Sequence, residues 1–334
     1  MYRQFLHCEK NLTLLKIGLI GVGKLGILHA QILKSSEHFE LVGIYDNDPL
    51  RLKQVCEEMD IMPYTSALGL IKDVDVVDIV TPANTHYEYA VAAIKNAKHV
   101  FIEKPITNTT EEALHIEQLA KEADVMVQVG HIERFNPAFK AVENYNLQPM
   151  FIEAHRLATF DPRGTDVSVV LDLMVHDLDI ILTLTKSNIR SIQANGVSVI
   201  TDNIDIANAR IEFDNGCVAN ITCSRVSMKK MRKIRLFQKD AYISMDFLEK
   251  KAEIIKIAEG ASETGLTLHL EGKEKNLVVL QPKLVPSNAL QEELESFAVC
   301  IQNNKIPKVS ASDGVKAMEL AYQVLKKIRK NSLV

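Results

Sequence analysis

No apolar run in this 334-residue sequence approaches the roughly 20 residues needed to span a bilayer, which excludes a helical membrane protein. Charge of one sign is also lacking. A formal net charge of −4 gives no reason to expect nucleic acid or an anionic membrane as partner. Paired thiols are absent: Cys8, Cys56, Cys217, Cys223 and Cys300 are scattered and odd in number, with no Cys-x-x-Cys. No His-Glu-x-x-His appears either, so no metal site is expected. The cysteines read as small buried hydrophobes in a reducing cytosol, with Cys217 and Cys223 spaced to share one face of a strand. The first fourteen residues carry Arg3, His7, Glu9 and Lys10 and lack a continuous apolar stretch. They read as a short extension rather than a signal peptide, and the expected location is cytoplasmic. No internal repeat or low-complexity segment is visible.

What is present describes an ordinary globular chain, 47% hydrophobic and 25% charged, long enough for two cores. Leu15–Ile20, Leu41–Tyr45, Val76–Val80, His99–Ile102 and Val125–Val129 are Val/Ile/Leu runs of the kind buried on both faces. Between them Lys24–Lys34, Pro49–Met59, Thr85–Lys95 and Thr110–Ala123 show helical spacing, and Asp48-Pro49 is a helix start. This alternation predicts an α/β fold, a doubly wound parallel sheet over residues 15–131. After about residue 150 the rhythm changes. One amphipathic helix is predicted over Ser168–Leu184, and strands over Phe151–Leu157, Ile192–Ile200, Ile206–Phe213, Cys217–Ser224, Ile234–Gln238 and Ala241–Phe247. Residues 257–275 read as a solvated hairpin or loop, and helices over Asn288–Gln302 and Asp313–Lys327 close the chain. The expectation for 132–334 is an α+β domain with a mostly antiparallel open sheet.

Gly21-Val22-Gly23-Lys24-Leu25-Gly26 follows a strand and opens a helix. In that context the glycines allow the tight turn, the approach of a pyrophosphate and close helix–strand packing, while free N–H groups and the positive helix end face the diphosphate. Asp46 ends the second strand and suits ribose hydroxyls, and Asn47 and Asp48 follow it instead of an arginine. The reading is NAD rather than NADP.

Three more segments end strands of the predicted sheet: Thr81-Pro82-Ala83-Asn84-Thr85-His86, Glu103-Lys104-Pro105 and Gly130-His131-Ile132-Glu133-Arg134-Phe135-Asn136-Pro137. Ligands of such sheets bind at strand ends, so Thr81, Pro82, Asn84, His86, Glu103 and Lys104 join the cofactor candidates. His86 reads equally as a helix-start histidine. Asp172 and His176 are four apart on a predicted helix and share a face, where a carboxylate can orient an imidazole. Asp177 and Asp179 read as helix surface or packing.

Together these segments resemble the glucose–fructose oxidoreductase, inositol dehydrogenase and rhizopine catabolism family of NAD(P)-dependent sugar oxidoreductases, over nearly the whole chain. The resemblance implies His176 as acid/base, Lys104 as its partner at the reacting hydroxyl and Asp172 as a substrate or orienting ligand. Which of Lys104 and His176 takes the proton varies within the family. It also implies a homodimer or homotetramer paired through the open sheet. Gly130 to Pro137, followed by Arg163-Gly164-Thr165-Asp166-Val167 and Leu171-Asp172-Leu173, looks most like the branch oxidising the C3 hydroxyl of UDP-N-acetylglucosamine. A diphosphate needs cations, and Arg134, Arg156 and Arg163 precede the catalytic helix. Arg134 and Arg163 are the substrate candidates; Lys229 to Arg235 offers more charge but reads rather as a solvated hairpin. Many members carry glycines ahead of the aspartate, where this chain has Ser168, Val169 and Val170. The alternatives are a dehydrogenase of a free polyol or hexose, and a non-catalytic NAD-binding sensor or scaffold.

Overall fold

A computed structural model describes residues 14–162, 167–259, 266–270 and 273–331. Nearly all of the N-terminal extension, and Arg163, therefore lie outside the described residues. The chain divides into two compact units, residues 1–130 with 293–310, and residues 131–292 with 311–334.

The first unit is a five-stranded parallel sheet of β1 (Leu15–Ile20), β2 (Phe39–Tyr45), β3 (Val76–Ile79), β4 (His99–Glu103) and β5 (Val127–Gly130), in the order β2-β1-β3-β4-β5. The order reverses at β1, and ligands of doubly wound sheets bind outside the strand ends at such a switch. Its crossover helices are α1 (Lys24–Lys34), α2 (Pro49–Met59), α4 (Ala83–Lys95) and α5 (Thr110–Glu122). Their starts follow from local chemistry. The Asp48 carboxylate accepts from the Leu50 and Arg51 amides ahead of α2, with Pro49 in the first turn. Thr109 and Glu112 form a reciprocal capping box at α5. The short α3 (Ala67–Asp73) escapes periodicity because two turns hold too few positions to show it; Ser66 caps it, and Leu70 and Ile71 are fully buried.

The second unit carries a nine-stranded sheet, in the order β13-β14-β12-β11-β10-β6-β9-β8-β7. Its strands are β6 (Phe151–Leu157), β7 (Ile189–Val197), β8 (Ile206–Phe213), β9 (Val218–Ser224), β10 (Met231–Phe237), β11 (Ala241–Asp246), β12 (Lys251–Glu259), β13 (Leu266–Leu270) and β14 (Lys273–Leu280). Among the described residues of this sheet only β6 and β9 pair in parallel, and the other neighbours are antiparallel. Alternate residues of β6, β8, β9 and β11 face a core shared with α7 (Val175–Thr185) and α9 (Ala311–Asn331). Cys217 and Cys223 lie in that core, and burial pushes the Cys217 thiol up to about 11, so both pack as small apolar groups. The short α6 (Pro137–Glu143) follows a 3-10 turn at Ile132–Phe135, and α8 (Ala289–Gln302) precedes α9.

Four expectations are corrected. Ser168–Leu184 is not one α-helix: Val170–Met174 forms a π-helical turn before α7, so Asp172 sits on the wider turn and His176 on the α-helix. Residues 257–275 hold parts of β12, β13 and β14, which extend the sheet, with β13 at its edge and β12 and β14 paired on both sides. Lys229–Arg235 is not a hairpin. From Met231 onward it is β10, between β6 and β11, with its charges on long side chains. Finally, residues 132–334 do not form one continuous domain. The segment from Glu293 to Ser310 returns to the first unit, where the Phe297 ring packs 6.3 Å from Phe101, Gln128 donates to the Glu293 carbonyl at 2.9 Å and the Val129 amide donates to Val309.

Candidate functional site

In the first unit a cavity of about 490 Å³ opens over the C-terminal ends of the parallel strands. Gly21 has φ +97°, a conformation only glycine takes freely, and a side chain there would collide with the Val80 carbonyl. A Cβ on Gly26 would lie 2.0 Å from the Gly21 carbonyl oxygen, whereas Gly23 faces open space. No side chain caps α1 at Gly23, which leaves its first N–H groups for a ligand. Asp46 holds this turn from the end of β2. Its Oδ2 accepts from the Val22 amide at 2.8 Å and its Oδ1 from Asp48 at 2.9 Å. A carboxylate has about four lone-pair sites, so capacity for ribose hydroxyls remains. The donor set fits a dinucleotide: open amides at the glycine turn for the diphosphate, and an acceptor one strand away for the ribose.

Gly21, Gly23, Lys24, Leu25, Asp46, Thr81, Pro82, Asn84, Glu103 and Lys104 all line this cavity. Gly26 packs behind it as the helix–strand spacer. Asn47 and Thr85, from segments already singled out, line it too, as do Tyr45, Arg51 and Tyr89, which have no motif spacing; Arg51 extends from α2, its guanidinium 3.6 Å from Asp48. His86 is the exception among the expected residues. It is 1% exposed, with Nδ1 2.8 Å from the Pro105 carbonyl oxygen and Nε2 2.8 Å from that of Thr81. It ties together the loops after β3 and β4 from behind instead of contacting the cavity. Burial pulls its pKa down, against the pull of the two carbonyls. Lys104-Pro105 is a cis peptide.

Beneath the cavity lie two buried groups that no motif announced, His29 and Asp78, and they meet the cavity-lining Glu103. His29 on α1 sits with Nδ1 2.8 Å from Asp78 Oδ2 on β3 and Nε2 3.3 Å from Glu103 Oε1 on β4. Burial disfavours a charged ring, but the two carboxylates outweigh it and push the His29 pKa up to about 10. An unfolded histidine titrates near 6.5. The ring's contribution to stability is thus complete below that pH and is lost as pH rises towards 10. The melting temperature of the wild type should exceed that of His29→Gln by most near neutrality, with the gap narrowing towards pH 10. A gap that does not vary with pH would overturn the assignment.

In the second unit Asp172 and His176 are both half-buried, and the buried His131 ring stands edge-on to His176, centroids 6.4 Å apart at 89°. Two buried arginines grip the helix that carries His176. Arg156 on β6 donates through Nε and Nη2 to Asp177 at 3.0 and 2.8 Å, and through Nη1 to Glu133 at 2.9 Å. Arg134 donates to Asp179 at 2.8 and 2.6 Å and lies 3.4 Å from Asp313 on α9. Burial opposes the Arg156 charge, yet the flanking carboxylates raise its pKa further above the usual range. Arg134 is 6% exposed with its fork matched to Asp179, and it borders a cavity at the far end of α7. Sequence shows the charge but not the carboxylate 45 positions away. Asp177 and Asp179 are packing residues, as one of their two readings had it, but ionic ones. Half-exposed Arg232 on β10, 3.7 Å from Glu133, is the more open cation of this cluster. A cavity of about 820 Å³ lies at the other end of α7 from His176, around Arg134, Lys186 and Lys316. Among the described residues no cluster of His, Cys, Asp and Glu could hold a metal ion.

Comparison with known proteins places this geometry. Residues 15–131 match the family described as an oxidoreductase family with an NAD-binding Rossmann fold, and residues 141–244 match the GFO/IDH/MocA C-terminal domain. The UDP-N-acetylglucosamine 3-dehydrogenase of Acidithiobacillus ferrooxidans is 36% identical, over 93% of this chain and 96% of its own. A solved structure of that enzyme superposes with a TM-score of 0.84, covering 95% of this chain and 98% of that one at 34% identity. The myo-inositol 2-dehydrogenase of Thermotoga maritima is 26% identical, over 96% of this chain and 98% of its own. With a glycine turn shaped for a dinucleotide in one unit and a family match across both, the chain belongs to the Gfo/Idh/MocA family of NAD-dependent oxidoreductases.

Proposed function

We propose that this protein oxidises a secondary hydroxyl of a nucleotide sugar, the C3 hydroxyl of UDP-N-acetylglucosamine, with NAD as hydride acceptor. The similarity over nearly the full length of both chains to an enzyme of that name carries the reading. Bound NAD supplies the acceptor for the hydride. The protein's own task is then to remove the hydroxyl proton as the hydride leaves. Lys104, at the β4 end of the cavity, donates a hydrogen bond to the reacting oxygen and stabilises its developing negative charge. His176 exchanges the proton, edge-on to His131, and Asp172 on the preceding π turn binds or orients the sugar. Asp177 and Asp179, clamped by Arg156 and Arg134, fix the helix on which His176 rides. A homo-oligomer paired through the open sheet belongs to the same proposal.

Two observations favour a second reading, the same chemistry on a free polyol. Two of the three arginines expected for a diphosphate are buried in ion pairs, and relatives named inositol dehydrogenases match across the chain. Incubating the purified protein with NAD⁺ and a panel of UDP-sugars, inositols and free hexoses, while following NADH absorbance, separates the two. Turnover is expected with UDP-N-acetylglucosamine. Turnover with an inositol alone would establish the second reading, and silence with every UDP-sugar would reject the first.

A further inference from the structure

The first unit buries an ion pair that its fold does not need. Helices pack on such parallel sheets through aliphatic residues, as Ala30 and Leu33 of α1 do here. His29 on the same helix and Asp78 in β3 break that pattern, both at 0% exposure. Asp78 Oδ1 has no hydrogen-bond partner among the described residues. Burial pushes the Asp78 carboxyl up, as expected for a group that water would hold better as an anion. Replacing a buried ion pair by apolar groups of similar volume is often neutral or stabilising, so stability alone gives no reason for this pair.

Its other end reaches the cavity. His29 Nε2 faces Glu103 Oε1 at 3.3 Å, and Glu103 Oε2 accepts from the Lys104 amide at 3.0 Å. Gly130 forms the floor: a Cβ there would come within 3.0 Å of the Glu103 carboxylate and displace it. We infer that the His29–Asp78 pair is a positioning device, in which Asp78 orients the ring and the ring holds the Glu103 carboxylate at the β4 end of the NAD cavity beside Lys104. The charged groups facing the ring are Asp78 from β3 and Glu103 from β4, and the Phe101 ring closes the remaining side edge-on at 5.8 Å. With the imidazole protonated the trio carries one net negative charge. The cavity runs from Asp46 past the glycine turn to Glu103 and Lys104. If the adenosine ribose binds at Asp46, the β4 end receives the nicotinamide, which is cationic in NAD⁺ and neutral in NADH. A fixed carboxylate at that end favours the oxidised cofactor.

The test replaces the pair by apolar residues, His29→Leu with Asp78→Val, and measures cofactor binding by calorimetry without any sugar. The double variant is expected to fold and melt no lower than the wild type. NAD⁺ should bind roughly 10- to 100-fold more weakly, the loss of one charge-assisted contact, with a clearly smaller change for NADH. Adding Glu103→Gln to that background should add little, because a residue acting through Glu103 cannot lose the contact twice. Should the double variant not fold, His29→Gln and Asp78→Asn are measured singly and must show the same ordering of NAD⁺ over NADH. A folded variant that binds both forms with wild-type affinities, or loses both equally, overturns the inference. Because no substrate enters the measurement, that outcome leaves the proposed reaction untouched.

Discussion

Lys104→Ala is expected to lower kcat by about 10²–10⁴-fold, the usual contribution of a positioned proton-transfer or charge-stabilising group. The NAD dissociation constant should change little. Lys104 lines one end of a cavity whose other contacts come from the glycine turn, Asp46 and the loop at Thr81, and these remain. His176→Ala should behave alike for a separate reason. Its helix is held by Arg134 and Arg156 through Asp179 and Asp177, so deleting the imidazole leaves the backbone in place. If both groups act on one hydroxyl, the double variant should lose scarcely more than the worse single one, since neither works alone. Single-turnover NADH formation on the substrate identified by the panel checks this. Wild-type rates in either variant would remove the role assigned to that residue.

Arg156→Leu should be the most damaging substitution for folding, at about 3–5 kcal/mol, the loss expected when one partner of a buried ion pair is removed. Arg156 is 3% exposed and satisfies two carboxylates at once, so its removal strands Asp177 and Glu133. Arg232 at 3.7 Å from Glu133 compensates for only part of that charge. The loss should also shrink in acid. Stranded buried carboxylates have raised pKa values, so the native state takes up protons that the unfolded chain releases, and stability falls as pH rises. Arg156→Lys should recover only a fraction, because an ammonium cannot engage Asp177 with a parallel fork while also reaching Glu133. Thermal melts of both variants from about pH 5 to 8 provide the measurement. An Arg156→Leu variant as stable as the wild type would show that the network contributes nothing net.

Elements set by neighbouring residues are legible in the order of the amino acids. The bounds of α1, α2 and β8 agree to the residue, because Asp48-Pro49 and the glycine turn punctuate the first two and strict alternation marks the third. The NAD turn is equally readable, since its function depends on backbone conformation and on missing side chains within six consecutive positions. The strands after residue 250 are not, because their Lys- and Glu-rich sequences imitate a loop, and only pairing with neighbouring strands makes them sheet. The π turn under Asp172 escapes for another reason: its residues carry ordinary helical spacing, and the extra backbone width is fixed by the surrounding core of Val169, Val170 and Met174.

Sequence alone determined the parallel sheet, its dinucleotide turn and the identity of Lys104, Asp172 and His176 as candidates, since each rests on residue type at short spacing. Tertiary structure decided which charges are open to a ligand. Arg134 and Arg156 are indistinguishable in sequence from substrate-binding cations, and Asp78 from a strand-end carboxylate. Their partners stand 45, 21 and 49 positions away, and only folding brings them to hydrogen-bonding distance. A buried charge stays ionised when an opposite charge or enough donors meet it, and that pairing is a property of space rather than of order along the chain.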